Sequence, residues 1–269
     1  MPTLALDGRE LYYEVGGAGP PVVLVHSAIA DSSLWDAQVD ALAPRFGVVR
    51  YDVAGFGRSP LRSGPFSHLA DLHALVEHLD LGRASFIGNS MGGRIALEYA
   101  LAHPEVVDRL VLVAAGLPDH DWSEEMRRAD AEEEQRFEAG DFEGAAESQL
   151  RFWVDGPRRG PDAVDPGLRE RFRRMILRSY ELYADAAKDG EPRGEWLDPP
   201  ASGRLGELRV PTLVVVGEAD ASDILAIADD LERRLPDARK ATVRDAAHAL
   251  PLERPQELNR LLLDFLAEP

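Results

Sequence analysis

Ile87-Gly88-Asn89-Ser90-Met91-Gly92-Gly93 is the stretch of this 269-residue chain that most constrains its fold. It matches the pattern Gly-x-Ser-x-Gly, in which a serine projects from a sharp turn between a strand and a helix. The flanking glycines let the strand and the helix approach each other closely. An apolar run at 84–88 precedes the serine and a helical pattern at 94–102 follows it, which is the context that the motif needs. We predict that Ser90 is a nucleophile; a glycine-rich packing turn is the alternative.

The same alternation of strand and helix continues along the chain. Short apolar runs that indicate buried strands lie at 21–26, 48–52, 84–88, 110–114 and 212–217, with a further strand at 240–243. Helical patterns lie near 35–43, 67–80, 91–102, 223–235 and 256–266. Such alternation indicates right-handed crossovers and parallel strands. With a hairpin over 4–15 that turns at Asp7-Gly8, it predicts an α/β fold: a mostly parallel eight-stranded sheet flanked by helices.

Residues 118–205 interrupt this pattern. Buried-strand runs are absent, and charged, helix-favouring segments occur at 123–139 and 166–187. We predict a helical cap over 118–205, with an irregular return over 189–206, inserted into a core made of 1–117 and 206–269. Bulky apolar residues of this cap are candidates for the substrate pocket, among them Trp122, Phe152, Trp153 and Trp196.

A serine hydroxyl needs a base to accept its proton. Of the seven histidines, His248 follows the last predicted strand, so it lies at the carboxyl edge of the sheet together with Ser90. We predict that His248 is the base. The other histidines are predicted to lie on a solvated helix face, at a helix end or in the cap: His68, His73, His78, His103 and His120.

The base needs a carboxylate that orients its ring and stabilises its charged form. Asp220 follows the strand 212–217 and is the predicted partner. Asp223 and Glu218 are nearby alternatives, and Asp119 is a more distant one that follows the strand 110–114. The chain order Ser90, Asp220, His248 is that of hydrolases with this motif.

The negative oxygen that forms during acyl transfer needs two N–H donors. The backbone of Met91, directly after the nucleophile, is one predicted donor. Ala28, in the loop His26-Ser27-Ala28-Ile29 after the first parallel strand, is the other. His26 either packs in the interior or contacts the substrate, and Ser27 is also a pocket candidate.

Composition narrows the class of partner. The formal net charge of −18 argues against nucleic acid or an anionic membrane surface as a partner. The absence of cysteine excludes disulfides, thiolate metal sites and a cysteine nucleophile. No apolar run approaches the roughly 18 residues of a membrane span, and residues 1–5 lack the features of a signal peptide. We predict a cytoplasmic protein that acts on a small molecule of apolar character, without a cofactor or a metal.

The chain resembles the α/β-hydrolase superfamily over nearly its whole length. The resemblance is carried by His26-Ser27 with Trp35, by the loop 52–59, by the turn at Ser90, and by Ala246-Ala247-His248 with the closing helix. Two positions depart from the family pattern, because Ser27 replaces a usual glycine and Ala54 replaces an arginine. The chain is most similar to hydrolases of the 3-oxoadipate enol-lactonase type. This resemblance implies catalytic roles for Ser90, Asp220 and His248.

These observations together predict a serine hydrolase that cleaves a carboxylic ester or lactone through an acyl-enzyme on Ser90. Alternatives on the same three residues are a C–C bond hydrolase, a perhydrolase and a tailoring enzyme of natural-product synthesis. A ligand-binding receptor of this fold with little turnover is an alternative from another class. Enol-lactonase activity would require a cationic group for a substrate carboxylate, and the cap offers as candidates Arg151, Arg158, Arg159, Arg173 and Arg174.

Overall fold

The computed structural model describes residues 2–6 and 9–268 of the chain. Within that part of the chain the strands are β1 (Thr3–Leu6), β2 (Arg9–Gly16), β3 (Pro21–Val25), β4 (Gly47–Tyr51), β5 (Gly64–Ser67), β6 (Ala84–Asn89), β7 (Val107–Val113), β8 (Pro192–Glu195), β9 (Thr212–Gly217) and β10 (Ala238–Val243).

Eight of these strands form one sheet in the order β1-β2-β4-β3-β6-β7-β9-β10. β2 pairs antiparallel with β1 and with β4, and the remaining neighbours are parallel. The predicted mostly parallel sheet of eight strands with an antiparallel edge is therefore confirmed. The predicted turn at Asp7-Gly8 lies outside the described residues.

Helices cover both faces of the sheet. They are α1 (Asp36–Leu42), α2 (His68–His78), α3 (Met91–Ala102), α4 (Glu124–Glu138), α5 (Phe142–Gln149), α6 (Pro166–Ala187), α7 (Ser222–Arg234), α8 (Leu250–Glu253) and α9 (Pro255–Leu266). Alternate residues of β9 enter opposite cores: Val214 and Val216 pack with α2, α3 and α7, while Leu213 and Val215 pack with α1 and α9. Because both faces are covered, β9 is apolar at successive positions and not only at alternate ones.

The segment between β7 and β9 is mainly helical, as predicted. It contains α4, α5 and α6, and a π-helical turn over Leu150–Asp155 continues α5. The expectation of an irregular return over 189–206 was wrong in part, because β8 lies there and pairs in parallel with β5. The strand β8 was not predicted because Pro192 and Gly194 disfavour a strand and because its partner, β5, is distant in the chain. The boundaries 118 and 205 of the cap stay a prediction.

Among residues 2–6 and 9–268, no helix has both the length and the hydropathy that a membrane crossing requires.

Candidate active site

Ser90 occupies the turn between β6 and α3 in a strained backbone conformation. Its φ of 55° and ψ of −116° lie in a region that residues other than glycine rarely adopt. The backbone holds it there: the Ser90 N–H donates to the Val113 carbonyl at 2.9 Å, and the Ser90 carbonyl accepts from Arg94 and Gly116. The side chain is only partly buried, and no hydrogen bond to its hydroxyl is present within the described residues.

Two of the motif glycines are required by close approach of the backbone. A Cβ atom on Gly88 would lie 2.1 Å from the Gly92 carbonyl oxygen. A Cβ atom on Gly92 would lie 2.2 Å from the Val25 carbonyl oxygen and 2.5 Å from that of His26. The spacing Gly-x-Ser-x-Gly therefore reflects how tightly α3 packs against β6 and β3.

His248 and Asp220 form a buried pair at the carboxyl edge of the same sheet. His248 Nδ1 lies 3.2 Å and 3.1 Å from the two carboxylate oxygens of Asp220. Both residues are at least 98% buried, and Asp220 also accepts the Ala221 N–H at 2.8 Å. Trp153 of the cap covers the ring of His248, with 4.4 Å between ring centroids. The other ring nitrogen, Nε2, forms no hydrogen bond within the described residues.

The alternative carboxylates have other partners. Glu218 is exposed. Asp223 accepts the backbone N–H of Ser123 at 2.7 Å and its hydroxyl at 2.6 Å, and lies 3.2 Å from His120 Nε2. Burial favours a higher pKa for Asp223, but these hydrogen bonds outweigh it and the pKa is lowered. Because Ser123 caps α4, Asp223 ties the start of the cap to the core.

Asp119 is the remaining alternative. Its carboxylate accepts a hydrogen bond from the Ser202 hydroxyl at 3.0 Å. Of the four carboxylates considered, Asp220 is the one that the structure brings into hydrogen-bonding contact with His248.

His26 holds the loop that contains Ala28. The Val53 N–H donates to His26 Nε2 at 2.9 Å, so the neutral ring carries its proton on Nδ1, which donates to the Ser27 carbonyl at 2.8 Å. Burial lowers the pKa of His26 and outweighs the opposing effect of Asp52, so the ring is neutral. In a trans peptide the N–H points opposite to the preceding carbonyl. By fixing the Ser27 carbonyl, His26 therefore sets the direction of the Ala28 N–H.

Ser27 itself is 1% exposed, and its hydroxyl has no hydrogen-bond partner within the described residues. A buried unpaired hydroxyl costs free energy unless another group satisfies it.

A cavity of about 700 Å³ is bordered by the loops that follow β3 and β4, by the start of α3 and by helices α4 and α6. Ala28 and Met91, the two predicted oxyanion donors, belong to its wall, whereas Ser90 and His248 do not. Its principal side chains are Phe56, Leu61, Phe66, His68, Asp130, Glu133, Glu134, Phe137, Tyr180 and Trp196.

Of the six predicted pocket residues, Trp196 lines this cavity and the other five do not. Trp153 packs on His248 and contacts Phe152, whereas Trp122 packs on His120. The contribution of α4 to the cavity was not predicted, because its acidic residues resemble those of any solvated helix.

The prediction of a solvated His68 was wrong. His68 is 6% exposed and lines the cavity, where its ring packs between Phe66 and Trp196 at 5.0 Å and 5.6 Å. Burial, with a smaller contribution from neighbouring cationic groups, lowers its pKa to about 4, so the ring is neutral at physiological pH. Ser67 before it caps α2, which is a local signal for a helix start but not for burial.

None of the five predicted arginines lines the cavity. Arg159 pairs with Glu253 at 2.8 Å, and Arg173 pairs with Glu143 and Glu147. Arg151 and Arg158 are exposed, while Arg174 borders a separate surface depression. Among residues 2–6 and 9–268, no group of three His, Asp or Glu side chains is arranged to bind a metal ion.

Comparison with known proteins agrees with this architecture. The family model for the α/β hydrolase fold matches residues 20–255. The chain belongs to this α/β hydrolase family. A putative carbamate hydrolase, RutD, from Azorhizobium caulinodans is 29% identical over 100% of this chain and 99% of its own length. A pimeloyl-acyl-carrier-protein methyl ester esterase from Chromobacterium violaceum is 30% identical, with 95% and 98% covered.

Among solved structures, the enol-lactonase from Burkholderia xenovorans matches this α/β hydrolase with a TM-score of 0.79 and 26% identity, covering 99% of this chain and 100% of that one. The fold and these relatives together make the chain an enzyme of the α/β hydrolase class.

Proposed function

We propose that this enzyme hydrolyses carboxylic esters or lactones through an acyl-enzyme intermediate on Ser90. The observation that carries the proposal is the joint placement of a strained, accessible Ser90 and the buried His248–Asp220 pair at one edge of the sheet. A strained nucleophile together with an oriented base is the arrangement that acyl transfer by serine requires.

In the acylation step, the Ser90 oxygen attacks the carbonyl carbon while His248 Nε2 accepts the hydroxyl proton. Asp220 holds the proton on Nδ1 and stabilises the imidazolium that forms. When the tetrahedral intermediate collapses, the carbon–oxygen bond to the alcohol breaks, and His248 gives its proton to the departing oxygen. The alcohol leaves, or the ring of a lactone opens.

In the second step, water replaces the alcohol. His248 takes a proton from the water as its oxygen attacks the acyl carbon, and then returns that proton to Ser90. The products are the carboxylic acid and free enzyme, and the balance requires no cofactor.

The backbone N–H groups of Met91 and Ala28 stabilise the negative oxygen of the tetrahedral intermediate. Met91 begins α3, whose N-terminal dipole favours negative charge. The Ala28 N–H is directed by the His26 hydrogen bond to the Ser27 carbonyl. Donors held in place before the reaction need no reorganisation as charge develops, which makes them effective.

The relatives are named for carbamate, methyl ester and lactone substrates, all of which have an electrophilic carbonyl carbon bonded to a heteroatom. This shared chemistry supports acyl transfer. Because the relatives differ in substrate, we infer that the residues lining the cavity determine which substrate this enzyme accepts.

Two measurements test the proposal. A fluorophosphonate probe should label wild-type protein at Ser90 and leave Ser90→Ala unlabelled. Steady-state turnover of p-nitrophenyl esters of graded chain length should be continuous in the wild type and abolished in Ser90→Ala. Labelling with only a single acylation and no release of acid would instead support a receptor. Absence of labelling in folded protein would contradict the nucleophile assignment.

A further inference from the structure

The cavity wall has a marked charge asymmetry. Its cap side carries three carboxylate residues, Asp130, Glu133 and Glu134, all on α4. The wall contains no lysine or arginine among the described residues. Asp130 and Glu134 are exposed and Glu133 is half-buried, so a group bound in this cavity experiences a negative potential that salt screens.

The three carboxylates are not neutralised from within the described residues. None of them forms an ion pair there, and Glu133 accepts a hydrogen bond from the Tyr180 hydroxyl at 2.7 Å. Desolvation, followed by repulsion from Glu133 and Glu134, raises the pKa of Asp130. Other acids of the same helix do have cationic partners: Glu124 pairs with Arg128, and Glu132 pairs with Arg136.

His68 gives an independent indication that a ligand occupies this cavity. It is more than nine-tenths buried and belongs to the cavity wall, and its Nδ1 is buried without a hydrogen-bond partner within the described residues. Nε2, which also forms no hydrogen bond there, is the ring nitrogen that keeps accessible surface for a ligand. Buried polar groups in proteins nearly always form a hydrogen bond, so an unpaired imidazole in a cavity wall indicates that a bound ligand supplies the missing partner. As a neutral ring it accepts a hydrogen bond from a donor without repelling a cation.

We propose that the natural substrate is an ester or lactone that carries a protonated amine, which the α4 carboxylates attract and the His68 imidazole contacts as a hydrogen-bond acceptor. The inference rests on the proposed hydrolase function and specifies its substrate class. The apolar side chains of Phe56, Phe66 and Trp196 would enclose the carbon skeleton between this amine and the reacting carbonyl.

The same wall disfavours the substrates that a lactonase of the enol-lactone type would need. A substrate carboxylate would lie among Asp130, Glu133 and Glu134 without a cationic partner in the wall. The arginines predicted for that role lie elsewhere, with Arg159 and Arg173 already engaged by glutamates.

Matched head groups on simple esters test the proposal. The groups are dimethylammonium, which has a charge and an N–H donor; trimethylammonium, which has the charge alone; tert-butyl, which is neutral; and carboxylate. Each is placed in the alcohol part of a butyrate ester and, in a second series, at the end of the acyl chain of a methyl ester. Acid release in a pH-stat gives kcat/KM for every compound.

In one of the two series we expect the cationic compounds to exceed the tert-butyl compound by about tenfold in kcat/KM, with the carboxylate poorest, and the difference to shrink at high salt. The double variant Asp130→Asn/Glu134→Gln should lose this preference, so that within this variant the cationic and tert-butyl compounds have nearly equal kcat/KM. The double variant Glu125→Gln/Glu138→Gln changes the net charge equally at exposed sites of α4 outside the wall, and it should retain the preference.

The role of His68 is tested by comparing kcat/KM of the two cationic compounds. The dimethylammonium compound should have a higher kcat/KM than the trimethylammonium compound. The variant His68→Phe keeps an aromatic ring between Phe66 and Trp196. It should remove this difference but retain the preference for cationic compounds over the tert-butyl compound. His73→Phe, on the same helix but outside the cavity wall, is the matched control.

Binding to Ser90→Ala, measured by calorimetry with the same uncleaved esters, separates the inference from the proposed function. Tighter binding of the cationic esters supports the inference even if turnover fails. Equal kcat/KM and equal affinity for cationic and neutral head groups in both series would overturn it, as would a preference for the carboxylate.

Discussion

Replacing Asp220 by asparagine perturbs one contact with little change of shape. The asparagine carbonyl keeps the hydrogen bond from the Ala221 N–H, while its amide group turns a donor towards His248 Nδ1. That donor favours the tautomer with the proton on Nε2, which is unable to accept the proton of Ser90. The carboxylate charge that stabilises the imidazolium is lost at the same time.

The size of the effect follows from the distance. Opposite charges 3.1 Å apart attract by about 5 kcal/mol at an effective dielectric constant of about 20. Lost from the transition state, this corresponds to a fall in kcat of about 10⁴-fold. We expect KM to change little, because Asp220 is buried behind His248 and does not line the cavity.

The assay is hydrolysis of a p-nitrophenyl ester by Asp220→Asn beside two matched variants. Asp119→Asn should keep nearly full activity. Asp223→Asn should keep most of its kcat but lower the free energy of unfolding by about 1–2 kcal/mol, since it weakens the hydrogen bonds that join Ser123 to the core. If Asp119→Asn or Asp223→Asn lost as much kcat as Asp220→Asn, the assignment of the acid would be refuted.

Three further substitutions test other parts of the site. Gly92→Ala should lower the free energy of unfolding in urea by about 3 kcal/mol or more, because its Cβ would meet the Val25 carbonyl; Gly203→Ala, which meets nothing within 4 Å, should change it little. His26→Ala should reduce kcat about 100-fold with KM nearly constant, through loss of the fixed Ala28 donor; an unchanged kcat would remove His26 from this role. Ser27→Ala should keep kcat and alter the free energy of unfolding by less than about 1 kcal/mol, since the hydroxyl has no partner; a large fall in kcat would mean that the hydroxyl contacts the reacting group.

The sheet and the Ser90 turn could be predicted because their signals are local. Continuous apolar runs such as Thr212–Gly217 mark strands covered on both faces, and helices follow them at regular intervals. The glycines of the motif record close backbone contacts within a few residues of Ser90. His248 was identifiable because parallel strands place their following loops at the same sheet edge.

The sequence by itself therefore determined the fold class, the strand-to-helix turn at Ser90 and the sheet edge at which Ser90 and His248 both lie. Only the tertiary structure decided which of several nearby carboxylates touches His248, that His68 is buried, and that α4 turns Asp130, Glu133 and Glu134 towards the cavity. The physical reason is that these properties depend on how the segment between β7 and β9 packs against the rest of the chain, through contacts such as β5 with β8 and Ser123 with Asp223. Such contacts join residues distant in the chain and leave no periodic or local pattern in the sequence.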